Sequence, residues 1–204
     1  MRIEGLVGQQ YNQDSGSPQT VRMDHHGALM VSEFAGRYQE LCYRGKLFSG
    51  SNQAARALSL LSATCTGLCL SNPLGSQTLL VLISLQVALA TAPAGAAVIF
   101  LAGNAAVQAT AVTHTTAETV INNYLSQPQV GVGLVDRAST LPATPTAIRA
   151  IGGGPVAASS ITPPFIVDDI AGALILGAGT NVSLSSSTTA ISTISSVTWA
   201  EVSL

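Results

Sequence analysis

The chain has 204 residues and a mass of 20.7 kDa, enough for one domain, or one domain with an arm, built around a sizeable core. Charged residues make up only 9% of it, against roughly 25% in ordinary soluble domains, while hydrophobic residues make up 47% and the mean hydropathy is +0.43. With eight basic and ten acidic residues the net charge is −2, which argues against both a disordered chain and the basic surface of a nucleic-acid-binding protein.

The first 33 residues differ from the rest, being rich in Gln, Asn, Asp, Ser and Gly and poor in apolar side chains. We predict that residues 1–33 form an extended arm that packs on a partner or a neighbouring subunit, the alternative being a flexible tail. The polar start has no apolar stretch of the kind that signal peptides carry, so we expect no export by that route. The predicted contact residues of the arm are Tyr11, Arg22, His25 and His26.

The triplet Asp24-His25-His26 also occurs in phosphoesterases that hold two metal ions. Such a centre needs several further carboxylates and histidines, and His114 is the only other histidine in the chain. Adjacent histidines on an extended chain also project to opposite faces. We therefore predict that the chain binds no metal and that the triplet consists of polar arm residues.

The chain has three cysteines, Cys42, Cys65 and Cys69, an odd number that does not suit a disulfide framework. Residues 61–70 alternate small residues with threonine and leucine, which predicts a β-strand. On a regular strand the sulfurs of Cys65 and Cys69 would lie about 13 Å apart, at ~3.3 Å per residue. We predict buried thiols that share no metal.

Residues 79–103 contain no charged side chain and are long enough to cross a membrane as a helix. Pro93 and Gly95 divide this stretch into two runs of strand length, and no cluster of Lys or Arg flanks it. We predict two buried strands joined by a turn at 91–95, and we predict no membrane partner.

Residues 111–126 allow either one short helix or a strand with a loop. Residues 187–202 are rich in Thr, Ser, Ile and Val with recurrent alternation, typical of strands with one small, polar face. Gly and Pro residues fall between these runs. We predict an all-β fold over residues 34–204, an antiparallel β-sandwich or jelly-roll-like domain. The turns around Asn72 and Gly152 are further predicted contact points.

The sequence also lacks the motifs of common catalytic sites. Gly152-Gly153-Gly154-Pro155 is not followed by the lysine and hydroxyl residue of a phosphate-binding loop. Asp168 and Asp169 are adjacent, and adjacent carboxylates on a strand point apart rather than across a substrate. We predict a non-enzymatic protein without a cofactor.

Residues 36–73, with the pattern T-G-L-x-x-x-N-P at 66–73, and the ending Trp199-Ala200-Glu201-Val202 resemble a family of tailed-bacteriophage virion structural proteins. The resemblance implies a capsid cement or decoration protein, assembled in the host cytoplasm and located on the capsid surface. Its implied partners are the major capsid protein and further copies of itself, by analogy in a trimer. A tail- or head-fibre-associated protein that contacts the host is the alternative, followed by a small membrane protein.

Overall fold

The computed structural model describes residues 36–91, 97–104, 106–126, 129–154, 165–188 and 191–204. The predicted arm, with Tyr11, Arg22, His25 and His26, lies outside the described residues. Residues Tyr38–Leu204 form one compact unit.

In the described ranges a short helix, α1 (Gln39–Tyr43), precedes twelve strands. The strands are β1 (Leu47–Ser51), β2 (Arg56–Ala57), β3 (Thr64–Ser71), β4 (Thr78–Thr91), β5 (Ala97–Gly103), β6 (Thr113–Glu118), β7 (Val120–Asn122), β8 (Leu134–Thr140), β9 (Thr146–Gly154), β10 (Phe165–Leu176), β11 (Asn181–Ser186) and β12 (Ser192–Ser203). Each strand pairing is antiparallel. The predicted all-β antiparallel class is confirmed.

The strands form two sheets. The first sheet has the order β10-β4-β12-β1-β7, with β2 also paired to β12, and the second has the order β6-β8-β3-β11-β5-β9. Eight strands remain when the short strand β2 and the inserted strands β6 to β8 are left out: β1, β3, β4, β5, β9, β10, β11 and β12. If these are renumbered 1 to 8 along the chain, the strand order is 1-8-3-6 in the first sheet and 2-7-4-5 in the second. Chain neighbours therefore lie mostly in opposite sheets, which is the double Greek-key arrangement of a jelly roll.

The core lies between the inner faces of the two sheets. The 14-residue strand β4 contributes Leu80 and Leu82 to the core and, beyond a register shift opposite Thr198 and Trp199, Leu85, Val87 and Leu89. The single tryptophan, Trp199, is fully buried and stacks on Phe48 with 6.1 Å between ring centroids. Nonpolar burial of this kind stabilises the fold by about 25 cal/mol per Å².

The apolar stretch 79–103 forms two strands, as predicted, and these lie in opposite sheets. β4 belongs to the first sheet and β5 to the second, so the chain crosses the sandwich between them. Most of the predicted turn at 91–95 lies outside the described residues. None of the helices described is long and apolar enough to span a membrane.

The helix alternative for residues 111–126 is wrong. This stretch forms β6 beside β8 in the second sheet and β7 beside β1 in the first. Repeated β-branched residues, Thr113, Thr115 and Thr116 in β6 and Val120 and Ile121 in β7, favour extended backbone over helix. The inserted segment therefore widens both sheets.

Candidate interaction surface

The outer face of the first sheet carries three rows of side chains that cross neighbouring strands about 4.8 Å apart. Strand register defines the rows as Phe165–Ala88–Ile194, Val167–Gln86–Ser196–Ser51 and Asp169–Ser84–Thr198–Ser49–Ile121. Within these rows Asp169 is the only charged residue. The outer face is thus built of small polar and apolar side chains.

Large apolar side chains on this face are open to solvent. Phe165 is 62% exposed, Val167 56% and Ile194 45%. We call the surface formed by Phe165, Val167, Ala88, Gln86, Ile194 and Ser196 the apolar patch. Contiguous apolar surface of this kind on a soluble protein is typical of a contact site for another macromolecule.

At this patch β12 directs polar side chains toward the core and an apolar side chain toward solvent, the reverse of the usual arrangement. Thr193 and Ser195 point inward and are buried, where the Ser195 hydroxyl donates to Thr193 Oγ1 over 3.1 Å. Ile194, between them, points to solvent. Burying hydroxyls while exposing an isoleucine works against the stability of an isolated domain. This arrangement is favourable when a partner covers Ile194.

Helix α1 covers the adjacent part of the same face. Tyr38, Leu41 and Cys42 pack against Leu47, Ile83 and Ala200. The sheet surface under α1 is therefore already part of a small core. The apolar patch is the part of the outer face that no described element covers.

Of the two adjacent carboxylates of β10, Asp168 is turned away from the patch and paired. Asp168 lies on the other side of β10 from Val167, and both of its carboxylate oxygens accept hydrogen bonds from Arg149, at 3.3 and 3.4 Å. This pair joins the edge strands β9 and β10 of the two sheets. Asp169, in the row beside the patch, is the one charged side chain that these rows present to a partner.

The predicted contact residue Asn72 is buried, and its side chain is engaged within the fold. Its Nδ2 donates to the carbonyl oxygens of Thr78, at 2.7 Å, and Leu176, at 3.0 Å. It therefore ties the end of β3 in the second sheet to two strands of the first. The prediction that this turn contacts a partner stays a prediction.

The predicted contact residue Gly152 lies within β9 rather than in a turn, paired with Ile99 of β5. A Cβ at this position would lie 2.4 Å from Cδ1 of Ile166, which projects from β10. Glycine therefore allows the edges of the two sheets to approach each other. Whether Gly152 also contacts a partner stays a prediction.

The Trp-x-Glu ending forms a buried hydrogen-bond cluster. Glu201 is only 6% exposed, and its Oε1 accepts hydrogen bonds from the main-chain N–H groups of Val132, at 2.7 Å, and Gly133, at 2.9 Å. The indole Nε1 of Trp199 donates to the same oxygen over 3.2 Å. The carboxylate thus fixes the segment before β8 to the end of β12.

The two cysteines of β3 lie closer together than the sequence predicts. A bulge between Thr66 and Cys69, with φ +110° at Gly67, breaks the regular alternation and directs the Cα hydrogen of Gly67 toward Leu58. The predicted separation of about 13 Å is therefore wrong, because it assumed a regular strand.

Cys65 and Cys69 are both buried and belong to one small cluster with Leu141. The Cys69 thiol, together with Ser183 and Ser139, lowers the pKa of Cys65 despite its burial. Cys65 and the loss of hydration raise the pKa of Cys69 well above its ordinary value. In the described ranges no three His, Cys, Asp or Glu side chains are grouped so that they could hold a metal ion.

His114 forms a close pair with a buried carboxylate. Its Nδ1 lies 2.6 Å from Oδ2 of Asp136, which is fully buried in β8. Burial raises the pKa of Asp136, and the bond to His114 opposes that rise. The pair holds the imidazole of β6 in one orientation against β8.

The described residues form a jelly-roll sandwich whose first sheet carries an exposed apolar patch. Comparison with protein-family models, with curated proteins and with solved structures gives no match. The resemblance to virion structural proteins therefore stays a prediction.

Sequence reasoning missed the apolar patch and chose turns and arm residues instead. Both faces of β10 are apolar in the sequence, with Phe165 and Val167 on one side and Ile166 and Ile170 on the other. The presence of apolar residues on both sides of β10 was the signal in the sequence. A strand buried on both faces has the same pattern, and only the strand order shows that β10 lies at the edge of its sheet.

Proposed function

We propose that this protein is a non-enzymatic virion structural protein that binds the major capsid protein of a bacteriophage and stabilises the head. The single observation that carries the proposal is the apolar patch on the outer face of the first sheet. The resemblance of residues 36–73 and of the Trp-x-Glu ending to virion structural proteins supplies the identity of the partner.

The physical properties of the patch suit a permanent contact. Stable interfaces have apolar centres depleted in charge, with aromatic residues among their anchors. Phe165 is such an anchor, while Val167 and Ile194 provide adjacent aliphatic surface. A rigid sandwich presents these groups without ordering a loop on binding, which lowers the entropic cost of association.

Association with further copies of the chain is the second part of the proposal. Among the described strands, the first sheet ends at β10 and β7 and the second at β6 and β9. Unpaired strand edges are prone to pairing with other chains, and assembly shields them. A homo-oligomer, which we expect to be a trimer, would protect some of these edges on the capsid surface.

The test of this function is the copy number of the protein in purified virions, measured against the major capsid protein on a quantitative protein gel. We expect the two copy numbers to be of the same order, because a cement protein covers repeated positions of the shell. A few copies up to a few dozen would instead support the alternative, a tail- or head-fibre-associated protein. Complete absence of the protein from virions would contradict both the cement role and the fibre role and would favour the membrane alternative.

A further inference from the structure

The connection between β5 and β6 crosses the outer face of the second sheet. In that sheet the strands β11, β3 and β8 lie between these two. β5 ends level with Val135 of β8, whereas β6 begins level with Thr140, which is about 17 Å further along at ~3.3 Å per residue. The connecting chain therefore runs both across the strands and along them. We call its residues 106–112 the strap.

Beneath the strap, the outward side chains of β3, β8 and β11 form a buried polar layer. Val112 of the strap packs against Cys65 and Cys69, together with Leu141, which follows β8. Positions that face solvent in an ordinary two-sheet sandwich are thus covered here. The members of the layer are at most 2% exposed, and strand register places them side by side: Ser71, Asn181, Ser183, Cys69, Asp136, Cys65 and Ser139.

Four polar atoms of this layer have no hydrogen-bond partner among the described residues. They are Ser71 Oγ, Asp136 Oδ1 and both Nδ2 and Oδ1 of Asn181. Buried polar atoms are rarely left unpaired, because such an atom loses its hydration and gains no bond in exchange. Water would pair these atoms if the strap moved away. The closed strap therefore carries a free-energy cost that an open strap does not.

The contacts that hold the strap closed are few. It forms neither helix nor strand, and all of its residues are exposed except Gln108 and Val112, which are partly buried. Among the described residues a single hydrogen bond joins it to another segment, from the Gln108 N–H to the Gly179 carbonyl oxygen over 3.2 Å. A cavity of about 220 Å³ is lined by residues 110–112 and by residues 71–74, so this part of the strap is loosely packed. Segments with few buried contacts and few hydrogen bonds are those that open locally in folded proteins.

We propose that the strap opens while the sandwich stays folded, and that the open state presents Cys65 and Cys69 to small thiol-reactive electrophiles. In the closed state both residues are inaccessible, at 1% and 0% exposure. Their strand, β3, is paired with β8 on one side and β11 on the other, so it stays in the sheet when the strap moves. The inference goes beyond the proposed capsid role and does not depend on it.

The reaction at an exposed thiol needs only the electrophile and water. The thiolate sulfur adds to the carbon–carbon double bond of N-ethylmaleimide, one C–S bond forms, and the neighbouring carbon takes a proton from water. The Cys69 thiol lowers the pKa of Cys65, and the Cys65 thiol raises the pKa of Cys69. We therefore expect Cys65 to react before Cys69.

The test is the rate at which N-ethylmaleimide modifies the purified, folded protein, with tandem mass spectrometry assigning the adduct to each cysteine. Rates are measured in increasing urea below the unfolding transition, which the fluorescence of the single tryptophan, Trp199, follows on the same samples. We expect Cys65 to react faster than the unfolded fraction alone allows. Its rate should also rise less steeply with urea than the unfolded fraction does, because local opening exposes little surface.

Two substitutions should change this rate in opposite directions. Val112→Ala removes the side chain that packs the strap on the cysteines, so Cys65 should react at least about tenfold faster. Ser71→Ala removes a buried hydroxyl that has no partner, which favours the closed strap, so Cys65 should react at least about fivefold more slowly. Val130→Ala, at a valine that is 89% exposed and outside the strap, is the control and should react as the wild type does.

The inference is overturned if Cys65 reacts only at the rate that the unfolded fraction allows, since the strap would then open only with the whole sandwich. It is equally overturned if Val112→Ala and Ser71→Ala react as the wild type does. The measurement uses the isolated protein without capsids. Failure of the strap inference and failure of the capsid role are therefore distinguishable.

Discussion

Replacing Glu201 by alanine should destabilise the protein by about 4 kcal/mol, a large part of the 5–15 kcal/mol typical of a whole domain. The substitution removes the acceptor of three hydrogen bonds, from the N–H groups of Val132 and Gly133 and from the indole of Trp199. Each donor would lose its partner, the Gly133 N–H and the indole in buried sites and the Val132 N–H in a partly buried one. Urea unfolding followed by fluorescence measures the effect, since Trp199 is the only tryptophan and lies within the cluster.

Two control variants show whether the lost hydrogen bonds at Glu201 cause this loss of stability. Glu201→Gln retains a side-chain oxygen that can accept the same bonds without the charge, so we expect a smaller loss of about 1.5 kcal/mol. Glu40→Ala removes a carboxylate from the exposed pair with Arg44 on α1 and should change the stability by less than about 0.5 kcal/mol. Equal unfolding midpoints for Glu201→Ala and the wild type would show that the cluster does not stabilise the fold.

Placing a charge in the apolar patch should weaken binding to the capsid at least about 100-fold, equivalent to about 3 kcal/mol. In Val167→Asp the new carboxylate would lose its hydration at the centre of the contact without gaining a partner. Because Val167 is 56% exposed, the unfolding free energy should change by less than about 0.5 kcal/mol. Co-sedimentation with capsids that lack the protein measures the affinity.

Val130→Asp is the matched control for this substitution. It introduces the same charge at another exposed valine, 89% exposed and outside the patch, and should leave capsid binding unchanged. If the Val167→Asp variant binds capsids as tightly as the wild type, the apolar patch is not part of the contact with the capsid. Equal losses in both variants would indicate a general effect of negative charge.

The class of fold could be predicted because local patterns determine it. The inward leucines of β4 and the alternation in β12 indicate strands whatever their neighbours are. Strand order could not be predicted in the same way, since it depends on contacts between residues far apart, such as Val197 with Gly50 and with Leu85. The jelly-roll order therefore came from the structure.

The candidate site was harder to predict than the fold. The sequence marks Asn72 as a turn residue, but its amide bonds to Thr78 and Leu176 depend on the packing of the two sheets against each other. Ile194 and Thr193 are neighbours in sequence, and their orientation depends on the side of β12 that meets the core. The bulge at Gly67 likewise required a φ value that the alternating sequence does not reveal.

The most direct test of the central claim is site-specific photo-crosslinking in assembled virions. A photoreactive phenylalanine derivative in place of Val167 samples the apolar patch, and the same residue in place of Thr140, exposed at the end of β8 in the second sheet, is the control. We predict a covalent adduct with the major capsid protein from position 167 and none from position 140. An adduct from position 140 alone, or no capsid adduct from position 167 in virions that contain the protein, would contradict the account.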